Sequence, residues 1–277
     1  MNIRDKLLNS KDFIFDEMNF KWHEYPVFKL KNRLIEHKIF LGLTRDPLIF
    51  LDNLKLEELE LNPDYLIFAS RHTSKTTRPA FLIHTTGNWS NNIEFGGDPK
   101  DLSKASALLH KAGFISLIEQ EFPNTLVNFS LDIEVTHHGP TKLEKPLIFM
   151  ELGSSKREWK IETAGELLAN TIIKTIDKFI KFKTDGSQLI GLGFGGTHYA
   201  PNFRRITLNN NIAFSFICPK YYIQELDKEL IRKMIDNTSE QVDYFIIDWK
   251  GTNSEDKKYI IPLLEEFDIE IKKTKDF

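Results

Sequence analysis

"PLIFMELGSSKREWKIETAGELLANTIIKTIDKFI", residues 146 to 180, decides how this chain is built. "PLIFMEL" is apolar throughout except for Glu151, the pattern of a strand covered on both faces. Ser155-Lys-Arg-Glu158 then has the Ser-x-x-Glu spacing of a capping box, in which two side chains satisfy free backbone N–H groups of a helix's first turn. Beyond it Ile161, Ala164, Leu168, Ile172, Ile176 and Phe179 recur at intervals of three and four. The spacing predicts a helix from about 156 to 180 with one buried face. A buried strand feeding a long amphipathic helix is the unit of a layered α/β protein.

The unit recurs on both sides of this stretch. "YLIFAS" (65–70) and "PAFLIHTTGN" (79–88) read as strands. Ala105, Leu108, Leu109, Ala112, Ile115 and Ile118 place a helix between Ser103 and Glu121, with Ser103 as its N-cap. "LVNFSLDIEV" (126–135), "NIAFSFICP" (211–219) and "VDYFIIDW" (242–249) are further strands, and "QLIGLGFGGTHYAP" (188–201) is a strand that dissolves into a glycine turn. Helical patterns follow at about 221–235 and 255–266. The expected fold is α/β, a layered mixed sheet with helices on both faces. No repeat, low-complexity tract or Pro/Gly-rich linker divides the 277 residues, so a single domain over 1–277 is expected.

A chain that is 41% apolar, with 22 Phe, has enough material for a packed core. Its net charge of −3, from 37 basic and 40 acidic residues well mixed, gives no global field to attract nucleic acid, so any contact with RNA must be local. The one cysteine, Cys218, excludes an internal disulfide framework and a cysteine-based zinc knuckle. The opening "MNIRDKLLNSKDFIF" is too charged for a signal peptide, and no window is long and apolar enough to span a membrane. A cytoplasmic protein is expected.

Five of the eight histidines fall at strand ends: His72, His84, His137, His138 and His198. Ligands of layered α/β sheets bind outside the carboxyl ends of strands, so these five share one expected rim. His23, His37 and His110 fit no such pattern and are expected to be structural or exposed. Glu134 and Glu151 are the carboxylates nearest the rim. Imidazole and carboxylate together suit zinc with an open position for water, but no His-x-x-x-His or His-Glu-x-x-His spacing is present. The same residues serve equally as a metal-free acid and base.

Gly191, Gly193, Gly195 and Gly196 depart from the dinucleotide-binding Gly-x-Gly-x-x-Gly fingerprint, and no helix is expected straight after them. A nicotinamide cofactor is therefore rejected. The glycines are expected to let backbone approach a ligand or a neighbouring strand and to present His198 and Tyr199. Arg71, Lys75, Arg78, Lys142, Lys145, Arg204 and Arg205, interleaved with Trp89, Tyr199 and Phe203, are either solvated charges or a surface that holds phosphates and stacks a terminal base.

"SRHTS" (70–74), "HTTGN" (84–88), "EVTHHGPT" (134–141), "FMELGSSKREW" (149–159) and "GFGGTHYAP" (193–201), in this order and spacing, resemble the archaeal and plant type of D-aminoacyl-tRNA deacylase over about 130 residues. The resemblance implies an enzyme that hydrolyses the ester joining a D-amino acid to the 3′ end of tRNA. It also implies zinc, a monomer with no obligate protein partner, and a fold of the phosphorylase/peptidyl-tRNA hydrolase kind. The expected catalytic residues are then His72, His84, Glu134, His137, His138 and His198. Arg71, Asn88, Thr136, Gly195, Gly196 and Tyr199 are the expected substrate-binding residues, and His137, His138, Glu151 and His198 the expected zinc ligands. Two departures stand out. Thr197 takes the place of a glycine before His198-Tyr199, and the chain opens at "NIRDKLL" where relatives have a short strand and an Asp-Pro segment, so an edge strand is expected to be missing or to precede the given start. The alternatives are a zinc-dependent hydrolase or phosphorylase of small nucleosides or peptides, and a non-catalytic RNA-end binding protein.

Overall fold

The computed structural model describes residues 2–31, 37–56 and 61–277. Helix α1 (Asn2–Leu8) precedes an antiparallel three-stranded sheet of β1 (Ile14–Trp22), β2 (Tyr25–Lys31) and β3 (Phe40–Leu41). The body contains β4 (Leu66–Arg71), β5 (Ala80–His84), β6 (Gly87–Asn88), β7 (Asp101–Leu102), α2 (Ala107–Ile118), β8 (Ser130–Ile133), β9 (Leu147–Gly153) and α3 (Glu162–Asp185). It continues through β10 (Leu189–Phe194), α4 (Pro201–Asn209), β11 (Ile212–Cys218), α5 (Lys228–Asp236), β12 (Tyr244–Ile247), α6 (Ser254–Leu264) and β13 (Glu270–Lys273).

Where the sequence suggests one layered sheet, the described residues form two sheets of four strands, besides the N-terminal sheet and the small β6-β7 ladder. One has the order β4-β9-β5-β8 and is mixed, because β5 runs antiparallel to β9 while the β4-β9 and β5-β8 pairs are parallel. The other, β11-β10-β12-β13, is wholly parallel. Every residue of β5, β9 and β11 is buried, which is why these strands read as unbroken apolar runs. One apolar core runs through both sheets, with Phe81, Ile83 and Met150 from the first, Leu192, Phe214 and Phe245 from the second, and Leu109, Phe114 and Leu117 of α2. A smaller cluster of Leu51, Leu54, Phe68, Leu143, Leu147 and Phe149 includes residues of β4 and β9. Helix α3 packs on α2, and none of the described helices is long and apolar enough to cross a membrane.

Several boundaries differ from the sequence reading, each for a visible reason. Helix α3 starts at Glu162, not near 156. The Ser155 hydroxyl donates to Glu158 Oε2 at 2.5 Å and Arg157 Nε donates to Oε1 at 2.7 Å, so the carboxylate serves a separate turn instead of capping the helix. The N-cap of α2 is Ser106, whose Oγ accepts from Leu109 N, whereas Ser103 Oγ donates to Thr86 O. The segment 126–135 is strand only over β8, and the 221–235 pattern is broken by Asp227, which caps α5. Helix α4, unforeseen, opens at Pro201 five residues beyond Gly196.

His110 stitches the two large sheets together. Its Nδ1 lies 2.8 Å from Phe214 O of β11 and its Nε2 3.4 Å from Ile83 O of β5. Burial lowers its pKa to about 4, so the ring is neutral and its single N–H serves the shorter contact. The unfolded chain takes up this proton near 6.5 and the folded chain only near 4. The contribution is therefore flat above 6.5 and becomes destabilising as pH falls, by roughly 3 kcal/mol at pH 4. In metal-free buffer, urea midpoints measured from pH 7 to pH 4.5 are expected to fall less steeply for His110→Gln than for the wild type; parallel profiles would show that this ring is not held neutral.

Candidate functional site

Adjacent residues of a strand point to opposite faces, so two neighbouring histidines share a site only where the strand ends. That is what happens after β8. Glu134 N donates to Ile83 O in the first sheet, while Val135 N and Thr136 N donate to His198 O and Ile217 O beside the second. The chain thus crosses between the sheets over 134–136. His138 then adopts φ +47, a left-handed conformation uncommon outside glycine, which turns its ring to within 4.5 Å of the His137 ring. Gly139 follows, so close to Gly96, Gly97 and Ile49 O that a Cβ there would meet backbone at 2.3–2.5 Å.

Register supplies the rest of the cluster. Glu151 of β9 lies opposite Leu82 of β5 and Ser70 of β4. Residues two further on, His84 and His72, share its face of the sheet and sit diagonally to it. Glu151 Oε2 accepts from His72 Nδ1 at 3.0 Å and lies 3.7 Å from His84 Nε2. Ring centroids step from His138 to His84 (4.8 Å), to His137 (4.3 Å) and to His198 (4.8 Å). Glu134 lies amid them, with one oxygen 3.0 Å from His198 Nε2 and the other 3.7 Å from His72 Nδ1 and 4.0 Å from His137 Nε2. All five rim histidines and both carboxylates are therefore brought together. The side chains of His198 and His137 are 38% and 23% exposed against 0% for Glu134 and His84, so the cluster opens to solvent on the His198 side.

Electrostatics divides the imidazoles. Burial opposes charge on His72 and His84, but Glu151, hydrogen-bonded to His72 and close to His84, together with the Glu134 charge outweighs it and raises both pKa values. Burial would raise Glu151, yet the hydrogen bond from His72 and the nearby His84 imidazole hold its carboxyl well below the usual carboxylate range. Burial and the neighbouring imidazoles push His137 well down and His138 to about 4. In both, the Nδ1–H donates to a backbone carbonyl, Val135 O at 2.8 Å and Gly139 O at 2.7 Å, leaving a lone pair on Nε2.

This donor set fits a metal ion. Both Glu134 oxygens, His72 Nε2 and His84 Nε2 are buried without hydrogen-bond partners, which is costly unless something else binds them. Among the described residues, three groups have ligand atoms within 4.8 Å of one another: His84-His137-His138, Glu134-His137-His198 and His72-Glu134-Glu151. The four ligands expected from sequence do not form one group. Glu151 is engaged by His72, and Glu134 takes its place beside His137 and His198.

Several residues expected to contact substrate make structural contacts. Asn88 Nδ2 donates to Gly96 O and Asp98 O, fixing a loop. Thr136 Oγ1 bonds Thr85 Oγ1 and accepts from Ile217 N at the seam between the sheets. Gly195 (φ +98) and Gly196 (φ +80) are buried against Thr252 and Asp248, so their freedom serves a close backbone turn. Trp89 and Phe203 are fully buried and unable to stack a base. Arg204 and Arg205 hold the carbonyls of Leu131, Thr274 and Phe277, Arg78 pairs with Asp132, and Lys142 with Asp98. Arg71 is exposed beside His72 with its guanidinium over Trp159, and half-buried Tyr199 lies 5.5 Å from the His198 ring with Arg78 over its face.

Tyr221 was not legible in the sequence. Its hydroxyl lies 3.1 Å from His198 Nδ1, and the residue, 53% exposed, flanks the open side of the cluster. Burial and the neighbouring Tyr222 and Cys218 push the phenol up to about 12, so it remains a donor. A tyrosine behind "FICPK" carries no periodic or motif signal that could have found it.

Fold and site together define an α/β protein whose reactive centre is an imidazole–carboxylate cluster between two sheets, equipment suited to hydrolysis. Residues 59–272 match the D-aminoacyl-tRNA deacylase family. The D-aminoacyl-tRNA deacylase of Thermococcus onnurineus is 37% identical over 273 residues, covering 98% of this chain and 94% of that one. That of Pyrococcus abyssi is 37% identical over 275 residues with the same coverage. The crystal structure of a conserved protein of unknown function is also similar, with a TM-score of 0.83 and 31% identity over 99% of this chain and 91% of the other. The chain belongs to the D-aminoacyl-tRNA deacylase family.

Proposed function

We propose that this protein hydrolyses the ester between a D-amino acid and the 3′ end of tRNA, releasing the D-amino acid and reusable tRNA. Family membership and relatives of that name support the reading. The observation that carries it is the buried Glu134 carboxylate, without hydrogen-bond donors, amid five imidazoles and next to an opening. His138, neutral and with a free lone pair on Nε2, accepts a proton from the attacking water. His72, whose charged form Glu151 favours and whose Nε2 has no partner, donates to the departing ribose oxygen. Opposite displacement of two pKa values is how one site holds both an acid and a base. Glu151 orients His72 and His84.

Zinc fits Glu134, His137 and His198, two imidazoles and a carboxylate with room for a further ligand. When bound it would polarise the ester carbonyl and acidify water. On this reading the architecture is of the phosphorylase/peptidyl-tRNA hydrolase kind, and the chain works as a single-domain, cytoplasmic monomer. The purified protein is expected to release free tyrosine from D-tyrosyl-tRNA but not from L-tyrosyl-tRNA. Turnover of nucleosides or peptides with intact D-tyrosyl-tRNA would replace this reading with that of a small-molecule hydrolase.

A further inference from the structure

The parallel sheet places the ends of its four strands on one edge, in the order β11, β10, β12, β13. The loop after β10 carries His198 into the reactive cluster, and the segment after β11 carries Tyr221. Trp249 and Lys250 follow β12, and Lys273 ends β13, about 10 Å from β10 at the usual strand spacing. Half-buried Trp249 is flanked by two ammonium groups, Lys273 Nζ at 4.2 Å and Lys257 Nζ at 4.6 Å from the ring centroid. The Tyr221 segment and α6, which bears Lys257, are tied together by Gln224 Nε2 donating to Asp256 Oδ1 and by the Tyr259 hydroxyl donating to Leu226 O.

Two acidic groups of this edge are turned inward. Asp248 is buried and accepts from Asn202 Nδ2 and Gly251 N, and Asp256 is buried and bonded to Gln224 and Asn253. The exposed acids Glu225, Asp227, Glu255 and Asp276 remain, of which Glu225 and Asp227 pair with Lys100, against exposed Lys220, Lys250, Lys258 and Lys275. An edge that runs from the open side of the cluster, with lysines outermost around an aromatic ring, matches the chemistry of a polynucleotide strand: phosphates for the ammonium groups and a π-face for stacking.

We infer that this carboxyl edge is the track for the polynucleotide part of the substrate, leading from Tyr221 at the reactive cluster to Trp249 and its lysines. The inference rests on the deacylase reading but is tested separately. A triple variant, Lys250→Gln with Lys257→Gln and Lys273→Gln, is compared with the wild type on D-tyrosyl-tRNA and on the D-tyrosyl ester of adenosine. The expected result is a KM for D-tyrosyl-tRNA raised about tenfold with kcat unchanged, and a plot of log kcat/KM against log salt flatter by about 2, at roughly 0.7 per lost phosphate contact. Kinetics on the adenosine ester stay at the wild-type value, and the matching triple arginine variant keeps wild-type behaviour. Binding of uncharged tRNA, read by filter retention, is expected to weaken by the same factor, which tests the track even if the wild type cleaves no ester. Unchanged tRNA KM, salt slope and tRNA binding in the glutamine variant would overturn the inference. So would an equal loss on tRNA and on the adenosine ester, which would mark a structural defect.

Discussion

Glu134→Gln is expected to lower turnover of D-tyrosyl-tRNA by a factor of about 10³ or more while moving the melting temperature of the metal-free protein by less than about 5 °C. The effect on stability is small because two large contributions oppose each other. Burying a carboxylate that has no hydrogen-bond donor costs several kcal/mol. Attraction to a charged His72 at 3.7 Å, in the effective dielectric appropriate to proteins, returns about 4 kcal/mol. A neutral amide of the same shape surrenders both. Activity has no such compensation, since the charge that holds His72, His137 and His198 in relation to one another is gone. A variant that retains activity would remove Glu134 from the chemistry. One that fails to fold would show that the attraction far exceeds the burial cost.

The sequence announced the reactive cluster better than the sheets that form it. Fully buried strands such as β5, β9 and β11 leave a strong signature, and histidines at their ends stand out against it. Register leaves none. Nothing in "FMELG" says that Glu151 lies diagonal to both His72 and His84, because that depends on which strands pair and in which direction. The same blindness made Glu151, and not Glu134, the expected carboxylate beside His137 and His198.

Motif residues carry a structural duty that the sequence does not show. Asn88 and Thr136 lie within the stretches that carry the family resemblance, yet their side chains are spent on the loop and seam that hold the histidines in place. The first sixty residues were illegible because their strands are half-exposed and their turn is atypical. β1 and β2 join through His23 and Glu24, both with positive φ, in a place where Asn-Gly would have given the hairpin away.

Zinc added to chelator-stripped protein is expected to raise its melting temperature by about 10 °C and to restore activity lost on chelation. At a free zinc concentration roughly a thousand times the dissociation constant, linkage gives about 4 kcal/mol, and a chain of this size gains some 2–4 °C per kcal/mol. The thermal shift is read without any substrate, so it reports on the ligands alone. His137 is the informative position because it belongs to two of the three possible ligand groups, whereas His198 and His84 belong to one each. His137→Ala is therefore expected to abolish the shift wherever among those two groups the ion sits. If His198→Ala abolishes it and His84→Ala does not, the ion is held by Glu134, His137 and His198. The reverse pattern would move it to the three-histidine group and leave Glu134 free to act as a base. A shift that survives His137→Ala leaves only His72, Glu134 and Glu151 among the described groups, and with that the assignment of His72 as proton donor falls, because the ion would take the Nδ1 that now bonds Glu151 and so remove the contact that favours the charged ring.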